Sequence, residues 1–231
     1  VRTETAAGAR PLALVVGLGP GLSAAIVRRF ADAGFVTVGV SRNVDAHVAL
    51  ARELAARGQE LEPRAIDAGD FAAVRALVAD LERQRGPVEV LVYNAYRSTP
   101  GLPSTVHPED LLDDFRVNVA GALAATQAVL PGMRARGRGT VLLTGGGLAL
   151  DPTGWPGAAS LAVGKAGLRN LAQALHADLK PAGITVATVT IAGMIAPGTP
   201  FDPATIAETY WRLATAGDGA PAEILWKGGA A

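Results

Sequence analysis

The stretch from Leu12 to Phe30 constrains this chain more than any other. Leu12 to Val16 is an unbroken apolar run of strand length, whereas after Gly21 the apolar residues Leu22, Ile26, Val27 and Phe30 recur at the spacing of one helix face. Gly17, Gly19 and Gly21 therefore sit where a buried strand becomes an amphipathic helix. Glycines let the backbone turn tightly there, and the unpaired N–H groups at the positive end of the helix face whatever lies beyond the strand. A pyrophosphate is the kind of anion that such a turn suits, which makes Gly17, Gly19, Gly21, Leu22 and Ser23 candidate contacts. A glycine-rich loop by itself says little; the flanking strand and helix give this one its meaning.

The remainder repeats the alternation. Phe35–Val40 is rich in β-branched residues and reads as a second strand, with Gly34 as the preceding helix stop. A helix over Val44–Arg57, a strand over Leu61–Ile66, a helix over Phe71–Arg85 and a strand over Val88–Ala95 follow. A long helix is expected from Glu109 to about Arg136, then a strand over Thr140–Thr144 running into Gly145, Gly146 and Gly147. A helix from about Gly157 is stopped by Pro181 and Gly183, Ile184–Ile191 is an apolar strand, and a short helix from Asp202 or Pro203 to about Ala216 precedes a last strand, Glu223–Trp226. This order predicts an α/β fold: one Rossmann-type doubly wound parallel sheet with helices on both faces. Asn118 and Gly121 are poor residues for the middle of a helix, so a local feature has to compensate for them.

With 231 residues the chain makes one domain, 11–231, behind a flexible lead-in, 1–10. Lys plus Arg and Asp plus Glu number 21 each, so no global field favours nucleic acid or a membrane surface, and phosphate recognition has to be local. Cysteine is absent, which removes disulfides and thiol nucleophiles, and His47, His107 and His176 have no metal-ligand spacing. No metal is expected. No apolar run reaches membrane-span length and no signal-peptide pattern opens the chain, so a cytoplasmic location is expected.

In open α/β sheets ligands bind beyond the carboxyl ends of the strands. The second strand ends in Ser41 and Arg42 with no acid before Asp45; an Arg there pairs with a 2′-phosphate where a carboxylate would accept from a free 2′-hydroxyl, which points to NADP(H) over NAD(H). The competing reading is a solvated loop Arg. Asp67 and Ala68 follow the third strand and are candidate adenine contacts, against helix capping by Asp67 or Asp70. Asn94 and Ala95 close the fourth strand.

In this order the motifs resemble those of the short-chain dehydrogenases/reductases, over essentially the whole chain. Gly17 and Gly21 match the first two glycines of that family's motif, with Ser23 in place of the third. Tyr93-Asn94-Ala95-Tyr96 resembles its Asn-Asn-Ala-Gly, Asn118 its active-site helix Asn, and Lys165 the lysine that binds the nicotinamide ribose. Gly193 with Ile195 resembles the turn that meets the carboxamide. The resemblance implies an NADP(H)-dependent oxidoreductase and a homodimer or homotetramer built through the helices around Leu111–Met133 and Gly157–Leu179.

The departures lie in the catalytic set. The family carries a Tyr four residues before the Lys as general acid/base, and Leu161 stands there. Its Ser at the end of the fifth strand matches Thr144 or, better, Gly145. Of the usual tetrad Asn118 and Lys165 remain. Tyr96, which replaces a family Gly at the mouth of the fourth strand, is the leading replacement donor, against a role as pocket filler; His107, Asp151 and Tyr210 are weaker alternatives, and Lys165 itself is a further one. Ser160 should point about 100° away from the Leu161 direction. Three readings follow: an oxidoreductase with a rebuilt proton relay acting on a small carbonyl or an activated double bond, a nucleotide-binding partner protein without turnover, and a non-redox isomerase, cyclase or dehydratase. Phe201, Ile206, Tyr210, Trp211 and Leu213 are expected to form a short apolar lid.

Overall fold

The computed structural model describes residues 10–229. The expected lead-in lies outside these residues except for Arg10, which pairs with Glu60. Seven parallel strands form one sheet in the order β3-β2-β1-β4-β5-β6-β7: β1 (Leu12–Val16), β2 (Val36–Ser41), β3 (Glu60–Ala65), β4 (Val88–Tyr93), β5 (Gly139–Gly146), β6 (Ile184–Ile191) and β7 (Glu223–Trp226). The helices are α1 (Leu22–Asp32), α2 (Val48–Ala55), α3 (Phe71–Arg85), α4 (Pro108–Phe115), α5 (Gly121–Arg136), α6 (Ala159–Leu179) and α7 (Pro203–Thr215).

Strand pleating sorts the core into two layers. Leu12, Leu14 and Val16 of β1 join the cluster under α3, α5 and α6, whereas Ala13 and Val15 join the one under α1, α2 and α7. Such burial on both faces is what continuous apolar strands signal. Because strand order reverses between β1 and β4, their carboxyl ends open a crevice, with Val16 opposite Tyr93.

Four expectations need correction. The helix expected over Val44–Arg57 is a single 3-10 turn, Asp45–His47, followed by α2. The long helix from Glu109 is broken into α4 and α5 by a π turn, Arg116–Ala120. That turn explains Gly121: the Tyr93 hydroxyl donates to the Val117 carbonyl at 2.6 Å, and a Cβ at Gly121 would lie 2.3 Å from the phenol oxygen. β5 runs on through Gly145 and Gly146, because Thr190 and Ile191 of β6 continue to pair with them.

The last correction concerns α7, which is no lid. Ile206, Tyr210 and Leu213 are fully buried in the layer beside α1, and Trp211 packs edge-on against Phe30 and Phe35 with Arg29 over its ring.

Candidate functional site

The glycine turn is held between β2 and β4. Gly17 has φ +90°, and a Cβ there would fall 2.2 Å from the Ala95 nitrogen, so both backbones can approach only because the side chain is missing. Asn94 completes the junction: its N–H donates to Val16 O at 2.7 Å and its Nδ2 to Gly17 O at 3.3 Å. A Cβ at Gly21 would meet nothing within 4 Å, and the first turn of α1 has neither a capping side chain nor an acid. The positive end of α1 therefore stands open at the crevice, an arrangement that fits a pyrophosphate. Ser23 is buried; its Oγ accepts from the Gly19 N–H at 2.8 Å, so the hydroxyl occupies a donor that a glycine would leave free. The Leu22 side chain belongs to the core, which leaves only its N–H to meet a ligand.

Arg42 is exposed and has no ion pair among the described residues. Ser41 Oγ is already engaged, donating to the Asn43 carbonyl at 2.8 Å. Asp67 is exposed and closes a tight turn by accepting from the Gly69 N–H at 2.8 Å, while Asp70 caps α3. Ala68 is buried beneath this turn.

Across the crevice, α6 delivers Lys165. Its Nζ is buried and donates to Thr144 O at 2.8 Å, and the Tyr96 ring covers it with its centroid 5.8 Å away. No carboxylate pairs with this ammonium among the described residues, and burial brings its pKa down from 10.5 to about 8. Leu161 lies one turn earlier on α6 and is buried. Of the glycines ending β5, Gly145 faces the Thr188 and Thr190 hydroxyls, whereas a Cβ at Gly146 would lie 3.5 Å from the Lys165 stem. The empty place beside Lys165 is thus at Gly146, not at Gly145. Thr144 fits a catalytic role poorly: its hydroxyl is held in a buried pair with Tyr210 Oη at 2.8 Å. Tyr210 is also removed as a donor, because it is fully buried and its hydroxyl is taken up in that pair.

Asn118 uses both arms of its amide on one neighbour, accepting from the Arg97 N–H at 2.7 Å and donating to Arg97 O at 2.9 Å. One turn earlier the fully buried Asp114 accepts from Thr99 Oγ1 and, at 2.5 Å, from Ser160 Oγ, with Arg97 Nε 3.1 Å away. Ser160 accordingly points away from the Lys165 face, as its helix position predicts. These clamps fix the loop that carries Tyr96, itself 63% exposed. Asp114 escaped the sequence reading, since a buried acid in an otherwise solvated helical turn looks like any other surface charge. The rim of the crevice adds exposed Leu150, Trp155, Met194 and Ile195, on the loops after β5 and β6.

A cradle at the head of α1, a strand-end Asn-Ala and a lysine on α6 around one crevice match a known pattern. Residues 11–203 fit the family model described as short chain dehydrogenase. The chain belongs to the short-chain dehydrogenase family. Among family relatives, a very-long-chain 3-oxoacyl-CoA reductase of Aspergillus clavatus is 35% identical over 77% of this chain and 52% of its own length. The chain spans between about half and two thirds of the length of the curated relatives it matches. A solved metagenomic short-chain oxidoreductase in complex with NADP is 27% identical with a TM-score of 0.85, covering 94% of this chain and 96% of that one. A short-chain dehydrogenase from Rhodopseudomonas palustris is 26% identical with a TM-score of 0.83, covering 93% and 97%. No helix among the described residues is long and apolar enough to cross a membrane, and none of their His, Asp and Glu side chains cluster as a metal site.

Proposed function

We propose that this member of the family is an NADP(H)-dependent oxidoreductase with a non-standard active site, acting on a small carbonyl or an activated double bond. The observation that carries the reading is Lys165: a buried ammonium with no carboxylate partner, opposite a free Arg42 across an open glycine cradle. Gly17, Gly19, Gly21 and the N–H groups of Leu22 and Ser23 hold the pyrophosphate, Arg42 the 2′-phosphate, Asp67 and Ala68 the adenine side, and Asn94, Ala95, Lys165 and Ile195 the nicotinamide half. When bound, the nicotinamide supplies or accepts a hydride.

The chain's own residues handle the proton. With leucine at 161, Tyr96 and Lys165 form the relay: the phenol is the exposed hydroxyl on a clamped loop, and the Lys165 ammonium beneath its ring favours the phenolate after proton transfer. Apolar Leu150, Trp155, Met194 and Ile195 at the rim favour an apolar substrate body, in keeping with the ketoacyl chemistry named for its relatives. Exposed Leu112, Phe115 and Val163, beside an apolar groove of about 320 Å³ along α6, support a homodimer or homotetramer through α4, α5 and α6.

The test is a calorimetric titration with NADPH and with NADH, then oxidation of NADPH against a panel of ketones, aldehydes and enones. Binding of NADPH in preference to NADH with turnover that Tyr96→Phe lowers supports the reading. Leu161, Gly146 and the occupied Thr144 hydroxyl favour a second reading, a nucleotide-binding partner without turnover. Tight NADPH binding with no acceptor reduced selects it.

A further inference from the structure

The loop that carries Arg42 is a closed knot. Ser41 Oγ donates to the Asn43 carbonyl at 2.8 Å, and Asn43 Oδ1 accepts from the Asp45 N–H at 2.9 Å. His47 locks this knot to the glycine turn. Its Nε2 lies 2.9 Å from Ser41 Oγ, and the ring also faces the Leu18 backbone, which favours its charged form. The imidazole is only 4% exposed, though the residues beside it, Ala46 and Val48, both face solvent. Burial pushes its pKa below the ordinary value, and with the Ser41 hydrogen already given to the Asn43 carbonyl the imidazole Nε2–H is the donor in the contact with Ser41 Oγ.

Leu18 is itself anchored. Its N–H donates to Val40 O at 2.8 Å, and its side chain occupies the space left by Gly39, where a Cβ would lie 2.3 Å from Leu18 Cδ2. Arg42, in contrast, has no partner among the described residues, so its position is inherited from the backbone knot alone. Resting on the NADP(H) reading above, we propose that His47 is a positioning residue for nucleotide selectivity: by tying Ser41 to the Leu18 turn it holds Arg42 beside the pyrophosphate cradle. A loop held in advance loses less freedom when the guanidinium meets a 2′-phosphate. NADH has no such phosphate and gains nothing from it. A merely structural histidine would support both nucleotides equally.

The experiment measures Kd for NADPH, NADH and 2′,5′-ADP by calorimetry on the whole chain, as wild type and as His47→Ala, His47→Gln, Ser41→Ala and the Ser41→Ala/His47→Ala double variant. His47→Ala and Ser41→Ala are each expected to weaken NADPH and 2′,5′-ADP about five- to tenfold, the worth of one buried hydrogen bond, and NADH by less than about twofold. The double variant should lose less than the product of the two single losses, because both changes remove the His47–Ser41 contact although Ser41→Ala also removes the bond to Asn43, and His47→Gln should recover part of the loss. Ser41→Ala deletes a single oxygen and serves if His47→Ala does not fold. Equal weakening of NADPH and NADH in the folded variants, or no change in either, overturns the proposal. A wild type that binds neither nucleotide overturns the NADP(H) reading itself, a failure seen before any variant is made.

Discussion

In the reading proposed above, the two sides of the crevice depart from the family pattern in different ways. On the β1–β2 side the third glycine is replaced by Ser23, and the structure absorbs the change locally: the hydroxyl turns back onto the Gly19 N–H and the helix head stays open. On the β4–β6 side, in the proposed reading, Leu161 and a glycine stand where the family has its Tyr and Ser, and only the Tyr96 ring, from another loop, covers Lys165; the Thr144 hydroxyl is paired elsewhere and Gly146 adds no atoms. A site built from backbone N–H groups tolerates a side-chain change, because its donors belong to the turn. A site built from side-chain protons has no such reserve.

The largest expected effect breaks that second side. Lys165→Met should lower turnover by about 100-fold or more, since it removes the one buried cation of the relay. It should also make the protein more stable. The ammonium's pKa in the folded chain is about 8, against an ordinary 10.5, so between those values the unfolded chain holds a proton that the folded chain has released. Stability therefore rises with pH through that window, and below pH 8 the folded state carries the full burden of the buried charge. At pH 7 the methionine variant is expected to gain about 2 kcal/mol, read from denaturant midpoints, and the wild type to approach it as pH rises toward 10. A variant that is less stable and fully active would place the proton chemistry elsewhere.

Tyr96→Phe comes next. The ring remains over Lys165 and only the hydroxyl is lost, so turnover should fall about tenfold or more with NADPH affinity unchanged. Unaltered turnover would mean that water supplies the proton and Tyr96 only shapes the pocket.

How far the sequence foretold these two sides follows from the same contrast. The alternation of strands and helices, the parallel sheet, α3, β6, β7 and the glycine turn were legible because each rests on local periodicity or on glycine placement, which a linear chain displays. The break at Arg116–Ala120 was visible only as two ill-fitting residues, Asn118 and Gly121; its cause, the Tyr93 phenol reaching Val117 O, comes from a strand 24 residues earlier. The fate of Thr144 was hidden for a similar reason, since Tyr210 lies 66 residues further on. The apolar residues of α7 have the same pattern whether they cover a ligand or a core; packing against α1 decided between them. His47 and Asp114 were passed over because polar residues give no periodic sign of being buried.

On the cofactor side, Arg42→Ala should weaken NADPH about tenfold and leave NADH within about twofold, one charge-assisted contact being removed from the 2′-phosphate alone. Equal affinity for the two nucleotides in the wild type would mark Arg42 as a solvated loop residue.

The smallest effect is the sharpest probe of the contrast. Ser23→Gly restores the family's third glycine, releases the Gly19 N–H now bonded to Ser23 Oγ, and puts a flexible residue in the first turn of α1. The freed donor favours the pyrophosphate, whereas the glycine lowers helix stability by about 0.5 kcal/mol, so NADPH affinity should move by no more than about threefold in either direction. A loss of tenfold or more would show that the serine hydroxyl is itself a ligand of the nucleotide, and the cradle would then depend on side chains as much as the site across the crevice does.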